Sequence, residues 1–482
     1  MTVTPKTTPP STPEMLLGRI ARIRTWPFSY RVIWIVAVGY LFTFFDIFNI
    51  NVSFVQTCVA LQPGCTPANA FGAIREPLLW NLIGYVVGAI ALSPLADRSG
   101  RRNLLMITMA ITGLGSLYTA LAPDMLNFTA SRFITGIGTG ADLAIINAYI
   151  NEVAPANGRG RFSSWTMVSA NLGAMIGIWL GLLLTTKPGH WPDGLPFALA
   201  GDGFSDGWRW MYGIGAILAV VSILMRLELP ESPRWLIHRG RLKDAERAVN
   251  AMERRAAARN DLDAAIPVIA PTSTEAVRGL DAYRRILTSK RYRRRALVLL
   301  AMWSIAYVTV YTLAGGLTSL LSSLGMPHSR AGVVAAVGSV GLLLARAAIP
   351  LADRINRRAW LPASVLIMVV GALVLSTAGS HNMPLTVLGA VLLFLGNSLW
   401  VPITYAWSAE LFPTRLRTSG FGLVDGAGHI GGGLGILLIG PTITSLGSLT
   451  GLLVVIGFLA VAALIAQLNP ATHGRDLEEI SP

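Results

Sequence analysis

The chain has 482 residues, of which 53% are hydrophobic and only 13% charged, with a formal net charge of +14. A soluble domain carries roughly 25% charged residues, so this is the composition of a membrane protein. The positive charge lies in short segments between apolar runs, which argues against a nucleic-acid-binding surface.

Residues 1–31 hold Pro, Thr and Arg without an apolar core. They are no signal peptide and are expected to form a mobile cytosolic tail. A helix needs about 20 apolar residues to cross the hydrocarbon core. Twelve such segments follow, near 32–55, 77–96, 103–122, 127–151, 163–184, 211–229, 296–321, 331–350, 360–379, 385–408, 417–439 and 450–467. Helices are expected because lipid offers no partner for free backbone groups. The division is then an N-terminal six-helix bundle over 32–229, a linker over 230–295, a C-terminal bundle over 296–467 and a cytosolic tail over 468–482.

The two bundles repeat each other. Pro94 to Arg102 reads P-L-A-D-R-S-G-R-R and Pro350 to Arg358 reads P-L-A-D-R-I-N-R-R, 256 residues later. Glu152, Pro155 and Arg159 recur as Glu410, Pro413 and Arg417, 258 residues later. Such a duplication in an apolar chain implies a transporter made of two pseudo-symmetric halves. Arginine is concentrated at the N-terminus and after each even-numbered span, so both termini are expected in the cytosol. The Arg-over-Lys bias, 35 to 4, points to a bacterial source and hence the inner or plasma membrane.

The linker carries sixteen Lys and Arg, and Leu242, Ala245, Val249 and Met252 recur in it at helical spacing. An amphipathic helix on the inner membrane surface is expected there. Cys58 and Cys65 fall in the first outer loop, where a disulfide and two free thiols are both open.

Charges inside apolar segments are functional candidates because they are costly there. Thr43, Asp46 and Asn49 make one stripe on span 1; Arg132, Thr135, Thr139 and Asp142 make one on span 4. Asp46 and Arg132 fall at similar depth, so a pair between them is expected. A carboxylate that ionises when paired and takes a proton when the pair opens can couple transport to protons; Asp46, Arg132 and Asp142 are the proton-coupling candidates. A static ion pair is the alternative. On span 11, Asp425 and His429 sit one turn apart, with Gly426, Gly428 and Gly431 between and beyond them. The glycines imply a thin, closely packed helix rather than a dinucleotide loop. His429 is a candidate substrate contact or second proton carrier; a hydrogen bond that merely satisfies both residues is the alternative. Asn49, Tyr307, Tyr311, Asn397 and Trp400, with Asp425 and His429, are the candidate substrate residues. The candidate cytosolic gate comprises Asp97, Arg98, Arg101, Glu152, Arg159, Arg161, Asp353, Arg354, Glu410 and Arg417. Glu152 is expected to pair with Arg159 or Arg161, and Glu410 with Arg417.

The D-R-S-G-R-R run after span 2 resembles the inner-loop signature of the major facilitator superfamily, with Ser93 where that signature carries Gly. Pro230 to Leu236, P-E-S-P-R-W-L, resembles an element of sugar porters and organic-ion transporters. Tyr405 to Arg417, Y-A-W-S-A-E-L-F-P-T-R-L-R, is similar to the organic-ion and aromatic-acid branch. In bacterial sugar–proton symporters a helix 1 Asp and a helix 4 Arg are similarly placed to Asp46 and Arg132, and Asp142 resembles the Asp of phosphate–proton symporters. The resemblance implies the all-α major facilitator fold and a proton-coupled symporter of a small polar organic solute, an organic ion or carboxylate before a sugar. It also implies no cofactor or metal, protons and a small molecule as partners, and a monomer in the bilayer. A sugar or polyol symporter, a phosphate symporter, a proton-driven exporter and a transporter-like sensor stay open; an enzyme does not, since no nucleophile–base pair or metal cluster is found.

Overall fold

The computed structural model describes residues 12–92, 95–96, 99–154, 159–266, 280–323, 325–351, 355–378, 382–412, 416–443 and 446–472. The chain is all-α, with twelve spans in two bundles. The first bundle comprises span 1 (Tyr30–Phe48 and Ile50–Leu61), span 2 (Arg75–Ala91), span 3 (Arg101–Ala120), span 4 (Met125–Val153), span 5 (Arg159–Thr185) and span 6 (Gly207–Arg226). The second comprises span 7 (Lys290–Ser323), span 8 (His328–Gly338 and Val340–Leu344), span 9 (Trp360–Ala378), span 10 (Met383–Leu399 and Val401–Glu410), span 11 (Arg417–Ile443) and span 12 (Ser448–Ala466).

Nine described helices are long and apolar enough to cross a membrane by length and composition. Spans 2, 4 and 11 are not among these nine, which are counted over the described residues alone. Span 2 has 17 residues. Spans 4 and 11 carry many glycines, which let them pack closely on other helices. A Cβ on Gly136 would lie 2.0 Å from Asn81 O, and one on Gly140 would lie 2.1 Å from Tyr85 O, so span 4 lies backbone-close to span 2. A Cβ on Gly431 would lie 2.3 Å from Ser304 Cβ, so span 11 meets span 7 as the thin helix expected from its glycines.

Cys58 and Cys65 are joined in a disulfide, which defines one face of the molecule as the disulfide side. The linker defines the opposite face. The halves touch on the disulfide side. Asn51 Nδ2 donates to Leu313 O at 3.0 Å, Thr318 Oγ1 donates to Asn51 Oδ1 at 2.7 Å, and Arg75 Nη1 donates to Leu437 O at 3.1 Å. Asp193 and Arg330 form a further ion pair there.

The N-terminal stretch differs from the expected mobile tail. Thr12 caps a helix, Pro13–Ala21, which docks on the linker helix Leu242–Ala257. Leu16, Ile20 and Ile23 are buried in one cluster with Ala245, Val249 and Met252. Arg19 and Arg22 each reach Glu253 at 2.6 Å. The apolar stripe of the linker helix is therefore sealed by protein and does not lie on lipid. Three apolar residues at helical spacing and two interleaved arginines make the contact with the linker helix.

Candidate functional site

The duplicated motifs build the same scaffold twice. Arg101 Nη2 lies 2.8 Å from Glu152 Oε1, and Arg357 Nη2 lies 3.5 Å from Glu410 Oε1. Arg102 donates to Leu227 O at the end of span 6, and Arg358 donates to Asn469 O after span 12. Tyr149 OH donates to Pro230 O at 2.9 Å, and Trp407 Nε1 donates to Pro470 O at 3.1 Å. Arginines at helix C-termini satisfy the orphan carbonyls of the last turn. Glu152 is thus paired with Arg101 and Glu410 with Arg357, while the expected pairings with Arg159, Arg161 and Arg417 involve side chains outside the described residues. Each pair holds spans of one half together. The side chains of Arg159, Arg161 and Arg417 lie outside the described residues, as do Ser93, Asp97, Arg98, Asp353 and Arg354.

Symmetry breaks at Glu231 of the P-E-S-P-R-W-L run. Its carboxylate accepts from Arg101 N at 3.0 Å and Arg102 N at 3.4 Å, so it caps the N-terminus of span 3. Gly100 makes this approach possible, with φ +97° and a would-be Cβ 2.3 Å from Glu231 Oε2. Burial raises the Glu231 pKa, and the three backbone N–H groups of Ser232, Arg101 and Arg102 oppose the rise.

Two carboxylates of the first half are fully buried and paired. Arg132 Nη1 donates to Asp46 Oδ2 at 3.0 Å, and its Nη2 donates to the Asp46 carbonyl at 3.2 Å. Ser116 Oγ donates to Asp46 Oδ1 at 2.7 Å, and the Arg132 guanidinium lies 5.5 Å from the Tyr212 ring centroid. Asp142 does not join this pair. It is held by Arg226, at 2.5 and 2.9 Å, and by Thr108 and Thr43 hydroxyls at 2.8 and 3.3 Å. Ten residues of helix, about 15 Å, separate Arg132 from Asp142 along span 4. Arg226 was missed by reading the sequence, although it stands inside the apolar run 211–229 and is a buried charge there.

The second half brings the candidate residues Asp425, His429, Tyr307 and Tyr311 together. The glycine face of span 11 admits span 7, and Tyr307 OH then donates to Asp425 Oδ1. Tyr85 OH, from the other half, donates to Oδ2 at 3.4 Å, and the Tyr307 and Tyr405 hydroxyls lie 3.2 Å apart. His429 Nδ1 donates to Asp425 O at 2.7 Å, since a carbonyl only accepts. Its ring stacks on Tyr85 at 3.9 Å, with Tyr307 at 3.9 Å and Tyr311 at 5.6 Å. One imidazole therefore bridges the halves.

A small cavity lies between the halves. Tyr40, Phe44, Tyr85, Tyr405, Phe421 and Asp425 are its aromatic and charged wall. Every lining residue lies in the half of its span nearest the linker face, so the cavity belongs to that side while the disulfide side is closed. Of the seven candidate substrate residues Asp425 alone is in this wall; Tyr307, Tyr311 and His429 pack behind it, and Asn49, Asn397 and Trp400 lie elsewhere. Asn49 sits at the break in span 1, and neither polar atom of its side chain has a hydrogen-bond partner. Trp400 packs on Trp303 at 5.2 Å, at the break in span 10. The Asn397 Oδ1 is buried without a partner. Tyr40 and Tyr85 were also missed, because no pattern within spans 1 and 2 marks the face that meets the opposite half.

The family model described as "Sugar (and other) transporter" matches residues 32–482. The chain belongs to that family. It is a multi-pass membrane transporter of the major facilitator superfamily, not an enzyme. Among curated relatives, the niacin transporter NiaP of Acinetobacter baylyi is 26% identical, with 96% of this chain and 99% of that protein covered. The glucose transporter GlcP of Staphylococcus epidermidis is 25% identical, with 83% and 86% covered. Among solved structures, the proton:xylose symporter XylE bound to 6-bromo-6-deoxy-D-glucose superposes with a TM-score of 0.68 at 20% identity, covering 94% of this chain and 98% of that one. That likeness shows the fold.

Proposed function

We propose that this transporter is a proton-coupled symporter of a small organic ion, in preference to a sugar, working by alternating access. It acts as a monomer in the bacterial inner or plasma membrane, with the linker face and both chain ends in the cytosol. The observation that carries the coupling is the Asp46–Arg132 pair, with residue exposures of 2% and 1%. An ionised carboxylate in that setting depends on its guanidinium and the Ser116 hydroxyl. When the spans shift and the pair opens, the carboxylate becomes a proton acceptor. When it closes, the proton leaves. Asp142 is a poorer carrier because Arg226 holds both of its oxygens.

The preference for an organic ion rests on the cavity wall, which is dominated by aromatic rings and contains one carboxylate. A sugar asks for many amide and hydroxyl partners, and among the described residues of that wall Asn147 is the one amide. A proton-coupled relative of this fold carries xylose, and a curated relative carries niacin, a heteroaromatic ring; the aromatic rings of the wall favour a ring-bearing solute over a sugar. Arginine-rich segments on the linker face support its cytosolic placement.

The test uses proteoliposomes and a ligand chosen by thermal-shift screening against sugars, aromatic acids, amines and phosphate. An inward proton gradient should drive accumulation in the wild type. Asp46→Asn should abolish that accumulation and leave substrate counterflow intact. Accumulation at the normal level in Asp46→Asn would remove Asp46 from the coupling role.

A further inference from the structure

Three carboxylates are buried in the spans described above, and they differ in what neutralises them. Asp46 has Arg132 and Asp142 has Arg226. Asp425 has neither Arg nor Lys; its oxygens accept from the neutral hydroxyls of Tyr307 and Tyr85. His429, one turn on, gives its Nδ1 hydrogen to the Asp425 backbone carbonyl, not to the carboxylate. Of these three, Asp425 is also the one that lines the cavity, and among the described lining residues none is Lys, Arg or His. A buried carboxylate without a countercharge is costly, and two phenol donors compensate it only in part.

The rest of the wall carries the complementary signal. Tyr40, Phe44, Tyr85, Tyr405 and Phe421 surround Asp425. Tyr40 and Phe44 stack at 6.1 Å, and Tyr405 meets Phe421 edge-on at 5.3 Å. Aromatic faces carry negative potential, so each attracts an organic cation and repels an anion. A solute carboxylate in this cavity would meet the Asp425 charge with no cation in the wall to offset it. A fixed positive charge on a flat ring would complete the ion pair that the protein leaves open.

We infer that the cavity binds a ring-bearing organic cation, of the pyridinium or arylalkylammonium class, with Asp425 as its counter-ion and Tyr40, Tyr85 and Tyr405 as its aromatic cage. This rests on reading the cavity as the transport site, and it fixes the sign of charge that the proposed function leaves open.

The experiment is a charge series on constant rings, titrated calorimetrically into the full-length protein in lipid nanodiscs at pH 7. One series is nicotinate, nicotinamide and 1-methylnicotinamide; the other is benzoate, benzyl alcohol and benzyltrimethylammonium. In at least one series the cation should bind about tenfold or more tighter than the neutral analogue, and the anion weakest. Asp425→Asn keeps the side-chain shape and should erase the cation's advantage while changing neutral binding by less than about threefold. Tyr405→Leu, which removes ring face and keeps the Asp425 carboxylate, should weaken the cation more than the neutral ligand. Anions binding as tightly as cations, both cations failing to bind, or Asp425→Asn leaving the order intact would each overturn the inference. Cation binding without proton-driven accumulation would sink the symport reading alone; anion preference with accumulation would sink this one alone.

Discussion

Arg226 grips Asp142 through both terminal nitrogens, at 2.5 and 2.9 Å, with residue exposures of 1% and 0%. Its Nη1 also donates to Leu105 O, so spans 3, 4 and 6 are tied at one point. Span 1 makes room by placing Gly39 there, where a Cβ would lie 2.2 Å from Arg226 Nη2. Removing one member of such a pair leaves an uncompensated buried charge, at a cost of about 3–5 kcal/mol, whereas replacing both by apolar groups of similar volume is often neutral. Arg226→Met should therefore lower the unfolding temperature in detergent sharply, and Asp142→Leu added to it should restore most of the loss. A double variant no more stable than Arg226→Met would show that the pair is not what holds this point.

His429 is held between Tyr85 of the first half and Tyr307 of the second, both at 3.9 Å. Ring pairs of this kind contribute about 0.5–1.5 kcal/mol each beyond their area. His429→Ala removes two, and it also loosens the backbone contact at Asp425 O. Binding of the best ligand from the charge series should weaken by about tenfold or more, since 1.4 kcal/mol is a factor of ten. Its dependence on pH between 5 and 8 should change as well. Binding that matched the wild type across that range would place His429 outside the site.

The spans were legible in the chain because lipid leaves few choices. Apolar length gave the helices, and the spacing of Thr43, Asp46 and Arg132 put the first ion pair on facing stripes. The repeat announced the two halves, but not that Arg101 would meet Glu152. That contact depends on how tightly spans 3 and 4 cross. Arg226 escaped notice because, near a span end, a lone arginine reads equally well as a topology signal. Tyr40 and Tyr85 escaped because cavity residues are selected by helix rotation, which the glycines of two neighbouring helices fix jointly. The docked N-terminal helix was hidden by its shortness: nine residues have no stability of their own and acquire it from the linker.

That docking carries a pH dependence whose sign follows from Glu253. Burial disfavours its charge, but the hydrogen bonds and charges of Arg19 and Arg22 outweigh burial and hold its pKa below the ordinary 4.5. A carboxylate depressed in the folded state stabilises above its unfolded pKa and loses that contribution as pH falls through the folded value. Hydrogen exchange in Pro13–Ala21 should thus be well protected at pH 5 to 7 and lose protection below about pH 4.5. Glu253→Gln should lower protection already at pH 7. Exchange in that variant indistinguishable from the wild type would mean that the apolar stripe alone holds the helix.

On the disulfide side, Asn51 is a two-point clasp between the halves, donating to Leu313 O and accepting from Thr318 Oγ1. Both bonds join span 1 to span 7 where the halves are closed, and both must break when that side opens. A net hydrogen bond contributes about 0.5–1.5 kcal/mol, so the two together bias the closed state by about 1–3 kcal/mol, or roughly 5- to 150-fold. Asn51→Leu removes both and should shift the population toward opening on that side. Thr318→Val removes one and should shift it less. Paired spin labels on Val59 and Ser329 would read the change as a growing long-distance population in that order. Identical distance distributions in all three proteins would mean that the clasp satisfies buried polar groups without setting the balance between the two states.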